Sequence, residues 1–228
     1  MTLPELTSLF NKFKEEYYEE LKKYNWASIE RLFYRCLDKK NPNELIMEIY
    51  AYLDIVIEDG FYQKHLELLK QNFDLGCNII EVGAGMFPSF GQMIAKEQQK
   101  LGKGTVTLYD PLLLVTKPKY PNMTLKKESI GMSTSLKSYD LVVSILSCSA
   151  TEILHYIVAK EELPFYNALC DCNHFDCDGT FLDTAEEYHE RLIEILQNRL
   201  QSALEVTRLG KEYGNYNKSV IIYKGKKK

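Results

Sequence analysis

The chain opens on a helical period. Leu3, Leu6, Phe10, Phe13, Tyr17, Leu21 and Tyr24 recur every three or four residues, with Lys14, Glu15, Glu19 and Lys22 largely opposite. That spacing predicts an amphipathic helix. Ile29, Leu32, Phe33 and Cys36 predict a second over about 28–37. Asn41-Pro42 then reads as a helix start, since Asn41 can cap the first turn and Pro42 fits a position whose N–H has no helical acceptor. Leu45, Ile46, Ile49, Leu53 and Val56 form its buried stripe up to Asp59-Gly60, and a fourth helix is expected over 62–71.

At Asn78 the period shortens. Residues 78–82 read as a β-strand ending in the turn Gly83-Ala84-Gly85, followed by a helix over 89–101. A second strand, 104–109, ends at Asp110-Pro111, and 123–129 is a weaker third. Residues 141–146 form a fourth, apolar enough to be buried on both faces as in a parallel sheet. A helix over 151–160, a fifth strand over 164–170, a long amphipathic helix over 186–203 and a last strand over 219–223 complete the pattern. Strands alternating with helices predict an α/β fold, a doubly wound, mostly parallel, Rossmann-like sheet. The expected division is an N-terminal helical cap over 1–75 and a sheet domain over 76–228.

The 228 residues suit one full domain with a small appendage, and 45% hydrophobic with 26% charged residues is an ordinary globular balance. The longest uncharged apolar stretch, Leu141 to Ala150, is broken by Ser144, Ser147, Cys148 and Ser149 and has half the length of a membrane span. No Lys- or Arg-led apolar segment opens the chain. The expectation is a soluble cytoplasmic protein with no membrane partner. The net charge of −4 gives no overall footprint for nucleic acid, and its acidic excess lies in residues 1–76. Six cysteines without a secretion signal are expected to be reduced thiols.

In such folds ligands bind beyond the carboxyl ends of the strands, where the strand order reverses. Glu81-Val82-Gly83-Ala84-Gly85 sits at one such end. Its glycines let a backbone approach a ligand, and would also serve a tight strand-to-helix turn. Asp110 ends the next strand. Its carboxylate could accept hydrogen bonds from a ribose hydroxyl pair, or simply cap the strand before Pro111; the residues leave both open. A dinucleotide cradle needs a third glycine where Pro88 stands, so a ligand without phosphate fits better.

On Glu81-Val82-Gly83-Ala84-Gly85, Asp110 and Tyr139-Asp140-Leu141-Val142-Val143, the region from about 76 to 224 resembles the class I S-adenosylmethionine-dependent methyltransferases. It departs from them in carrying Phe87 where that turn often has a third glycine. The resemblance implies S-adenosylmethionine as cofactor. Gly83, Ala84 and Gly85 would line its methionine moiety, Glu81 its amino group and Asp110 its ribose. Ser147, just after the fourth strand, would also contact the cofactor, and Glu128 would lie near the adenine unless it is a plain surface charge. No Asn-Pro-Pro-aromatic tetrad follows the fourth strand, which argues against DNA-type amino methylation. Cys148-Ser149-Ala150-Thr151-Glu152 is similar instead to the Cys-Gly-Ala-Thr-Asp loop of a subgroup that includes a tRNA 2′-O-methyltransferase. That subgroup also carries a cysteine-rich segment with a histidine after its fifth strand.

Cys170, Cys172, His174 and Cys177 have soft donors that zinc accepts, but lack paired knuckle spacing, so no metal is assigned. His174 and Asp171, at the end of the fifth strand, are the candidate catalytic bases. His155 reads as a packing or surface histidine and His189 as solvated. Asp176, Asp178 and Asp183 read as a solvated loop without full EF-hand spacing. The expected activity is methyl transfer to an acceptor, small molecule or RNA, that the residues do not identify. Two alternatives stand beside it. The helical start followed by Gly-Ala-Gly-Met-Phe-Pro is similar to nicotianamine-synthase-like enzymes, which transfer an aminobutanoyl group from the same cofactor. The missing third glycine suits a non-catalytic binding subunit.

Overall fold

A computed structural model describes residues 2–16, 18, 61–85, 88–113, 117–147, 150–170, 184–201, 204–209 and 219–225. The elements are α1 (Leu3–Glu16), α2 (Phe61–Asn72), β1 (Asn78–Val82), α3 (Ser89–Leu101), β2 (Thr105–Tyr109), β3 (Met123–Lys126), β4 (Leu141–Ile145), α4 (Thr151–Glu161), β5 (Phe165–Ala168), α5 (Ala185–Leu200), β6 (Glu205–Arg208) and β7 (Ser219–Tyr223). The helices expected over 28–37 and from Asn41 lie outside the described residues.

The seven strands form one sheet in the order β3-β2-β1-β4-β5-β7-β6. β1 to β5 run parallel, and β7 runs antiparallel to both β5 and β6. This is the expected doubly wound, Rossmann-like sheet. Central strands β1, β4, β5 and β7 bury nearly every residue, because helices cover both faces and leave no polar side for alternation. Ile79, Leu108, Val143 and Tyr166 pack toward α2 and α3. Ile80, Val142, Phe165 and Ile221 pack toward α4 and α5. A fully buried Ile or Phe contributes about 1.5–3 kcal/mol, so these two layers hold the sheet.

Polar side chains then fix the helices to the strands. Gln98 Nε2 donates to the carbonyls of Leu75, Cys77 and Thr105 at 2.9, 3.1 and 3.1 Å, and Asn122 Nδ2 donates back to Gln98 Oε1. That clamp locks the end of α3 over the starts of β1 and β2. α5 begins with a full capping box, Thr184 with Glu187, which satisfies two amides that would otherwise lack acceptors.

β6 has no counterpart among the expected strands. Glu-Val-Thr-Arg is too short and too polar to show a period, and it pairs only with β7 at the sheet edge. β3 and β5 are shorter than expected, because residues 127–129 and 169–170 already belong to the loops at the carboxyl edge. His189 corrects the reading as solvated: it is 2% exposed, its Nε2 faces the Cys170 carbonyl at 3.3 Å and its Nδ1 pairs with Ser219 Oγ at 3.2 Å. The charged residues around it in sequence occupy the outer face of α5, while His189 turns inward to meet β7. Cys170 is also corrected, since it is disulfide-bonded rather than reduced, whereas Cys77 is a free thiol. Sequence spacing alone does not say which of several clustered sulfurs pair.

Candidate functional site

The order of the sheet reverses between β1 and β4, so the crevice at their carboxyl ends is where a ligand is expected. The turn after β1 shapes its floor. Gly83 and Gly85 hold φ values of 76° and 77°, left-handed angles that favour glycine. Gly83 also meets Ser147 so closely that an added Cβ would lie 2.5 Å from the Ser147 Cβ. Its amide donates to the Tyr109 carbonyl at 2.9 Å, tying the turn to β2. Ala84 turns inward and is buried in the core.

From β4, Leu146 adopts φ 55°, a left-handed angle that costs a non-glycine residue about 1–3 kcal/mol. That bend brings Ser147 against Gly83. Ser147 Oγ and Thr151 Oγ1 lie 3.0 Å apart, joining the loop to the first turn of α4. Ser144 Oγ donates to the Val82 carbonyl at 3.0 Å, fastening the two strands where the crevice opens.

Asp110 is 8% exposed. Its Oδ2 accepts the Gly85 amide at 2.9 Å and its Oδ1 accepts the Leu112 amide at 2.7 Å. The carboxylate therefore does cap its own strand end, and it also holds the glycine turn in place. Each oxygen keeps a further lone pair for a hydroxyl. Beside it, Leu112 is an exposed large apolar side chain.

Glu81 is 3% exposed and lies against the first turn of α3. The Gly91 amide hydrogen-bonds to its carboxyl, yet burial dominates, helped by the negative charge of Asp110, and pushes Glu81 up to about 8. Its Oε2 has no hydrogen-bond partner among the described residues. Gly91 makes room for it, since a Cβ there would collide with both Oε2 and the Leu108 side chain. The close helix–strand packing usually given to a third glycine of the turn is thus supplied by Gly91, inside α3. Next to it, Gln92 is fully buried, and neither atom of its amide has a partner among the described residues.

Glu128 is exposed and accepts the hydroxyl of Tyr109, the residue before Asp110, at 3.0 Å. His174 and Asp171, together with Cys172 and Cys177, lie outside the described residues. His155 is buried as a packing histidine, its Nε2 accepting from Asn167 Nδ2 at 2.9 Å. Gly91 and Gln92 were missed in the sequence. A glycine in the first turn of an otherwise regular helical pattern was the available signal, because it marks a close approach.

No protein-family model matches the chain, and no curated protein does. Solved structures do. The CMeT domain of the citrinin polyketide synthase is 15% identical over 87% of this chain and 66% of its own length, with a TM-score of 0.49. A SAM-dependent methyltransferase from Aquifex aeolicus is 18% identical over 73% of this chain and 98% of its own, with a TM-score of 0.46. Coclaurine N-methyltransferase, bound to N-methylheliamine and SAH, is 16% identical over 84% of this chain and 78% of its own, with a TM-score of 0.41. The fold assignment rests on strand order and register: a Rossmann-like sheet of the class I methyltransferase type. No helix among the described residues is long and apolar enough to cross a membrane.

Proposed function

We propose that the chain is an S-adenosylmethionine-dependent methyltransferase. The observation that carries this reading is the crevice at the β1–β4 reversal, where an unpartnered buried carboxyl oxygen, a left-handed glycine turn and a strand-end carboxylate converge. The donors and acceptors suit the cofactor. Glu81 Oε2 offers a place for a primary ammonium group, and the outward lone pairs of Asp110 suit a ribose hydroxyl pair. Gly83, Ala84 and Gly85 would line the amino-acid end, Ser147 the side toward β4, and Glu128 the adenine end. The cofactor supplies an electrophilic methyl group on a sulfonium. The chain's part is to hold donor and acceptor in line at about 3–3.5 Å, which can supply much of the rate. His174 or Asp171 would take the acceptor's proton.

The N-terminal cap over 1–75 would cover the crevice and shape the acceptor pocket of the domain over 76–228. Screening acceptor classes, small molecules and RNA, with radiolabelled cofactor identifies the acceptor. Calorimetry with S-adenosylhomocysteine tests the reading itself, and micromolar binding is expected. A folded protein that binds none at high micromolar concentration overturns it. The product separates methyl from aminobutanoyl transfer: S-adenosylhomocysteine for the first, methylthioadenosine for the second.

A further inference from the structure

Among the described residues, the elements next to Glu81 bring few charges to Oε2. α3 brings the Gly91 amide, and its first turn, Ser89-Phe90-Gly91-Gln92, has no acidic or basic side chain. The register neighbours of Glu81 are Leu108 on β2 and Val143 on β4. Of the titratable groups on α2, His65 is buried and held 2.6 Å from the Tyr166 hydroxyl, Tyr62 and Lys64 are half-buried, and Glu67 and Lys70 are exposed. Among the described residues the charge acting on Glu81 is that of Asp110, and it is of the same sign. An ionised carboxylate there would lose its hydration for a single amide and face a like charge, a poor exchange.

We propose that Glu81 is carried as a neutral acid in the free protein and releases its proton when a ligand's primary ammonium group settles beside Oε2. Binding of such a ligand is then linked to the loss of one proton. This rests on the cofactor reading above, because that cofactor has an ammonium at its amino-acid end. In the exchange the carboxylic O–H bond breaks, its proton passes to the buffer, and the carboxylate pairs with the ammonium, which keeps its own protons. With Glu81 near 8 before binding, roughly 0.9 proton leaves per ligand at pH 7.

The test is calorimetric titration of the whole chain with S-adenosylhomocysteine at pH 7, in phosphate and in Tris, whose ionisation enthalpies differ. Release of close to one proton is expected, with affinity rising nearly tenfold from pH 6 to 7 and levelling off above pH 8. Methylthioadenosine, which lacks the ammonium, should bind without proton release, and Glu81→Gln should bind S-adenosylhomocysteine more weakly and without it. Binding of S-adenosylhomocysteine with no proton exchanged overturns the inference and leaves the cofactor reading standing, as does equal release with methylthioadenosine. Absence of any binding by folded protein overturns both. An independent readout needs no ligand: the free wild-type protein at pH 6 should show an infrared carboxylic-acid band that is missing in Glu81→Gln. Identical spectra overturn the inference.

Discussion

Asp110→Asn is expected to cost more than half as much stability as Asp110→Ala, although it looks conservative. Both carboxylate oxygens are engaged, Oδ2 by the Gly85 amide and Oδ1 by the Leu112 amide. An asparagine has one acceptor oxygen, so whichever way it turns, its NH2 group meets a backbone N–H donor. One charge-assisted bond, worth about 1.5–3 kcal/mol, is lost, and the other becomes a weaker neutral one. A destabilisation of roughly 2–3 kcal/mol follows for Asp110→Asn, and roughly 3–5 for Asp110→Ala, which loses both bonds. Urea unfolding at pH 7 measures this, and a loss below about 0.5 kcal/mol for Asp110→Asn would refute the two-acceptor reasoning. The ligand question is separable. Affinity for S-adenosylhomocysteine, measured under conditions where the variant is folded, should fall ten- to a hundredfold in Asp110→Ala if the carboxylate also holds the ribose. Unchanged affinity would leave Asp110 as a strand cap alone.

His65 and His155 are both buried, and desolvation lowers each to about 3; the unfolded chain takes up their protons below about 6.5, so stability falls as pH drops from 6.5 toward 3. Each histidine should cost about 2 kcal/mol at pH 5, and His155→Gln should flatten the urea-measured pH slope by one proton; an unaltered slope contradicts a buried neutral histidine. Gly91→Ala ought to gain up to about 1 kcal/mol from helix propensity, but its Cβ collides with Leu108 and Glu81 Oε2, so a net loss of about 1–3 kcal/mol is expected. A higher melting temperature for Gly91→Ala would show that the close approach of α3 to β2 is not tight. Gln92→Met keeps the volume and removes an amide with two unpartnered atoms, so the free protein should gain about 1 kcal/mol. A loss instead would mean that the Gln92 amide has a partner in solution.

Much of the architecture was legible because a doubly wound sheet writes its period into the chain. The bounds expected for α3 and β7 match the structure, since each is an uninterrupted pattern between clear breakers. β6 was invisible for the opposite reason: four half-exposed residues at a sheet edge need neither alternation nor apolar character. His189 misled because local charge density describes one face of a helix, while the histidine occupies another.

The candidate site was legible only as positions. Gly83, Gly85 and Asp110 could be placed at strand ends from the sequence, yet nothing there said that Asp110 spends both oxygens on the backbone. That arrangement links the two readings that the sequence left as rivals. A carboxylate that already fixes the glycine turn and its own loop is a rigid acceptor, so its remaining lone pairs are aimed without any further ordering when a ligand arrives. The same logic applies to Glu81. A short chain segment identifies an acidic residue before a glycine turn, but whether it is charged depends on what packs against it. Here Gly91 on α3 leaves the carboxyl room, while burial leaves it no counter-ion among the described residues. Strand capping at this edge of the sheet therefore leaves ligand binding open, since each Asp110 oxygen accepts one backbone amide and keeps a further lone pair.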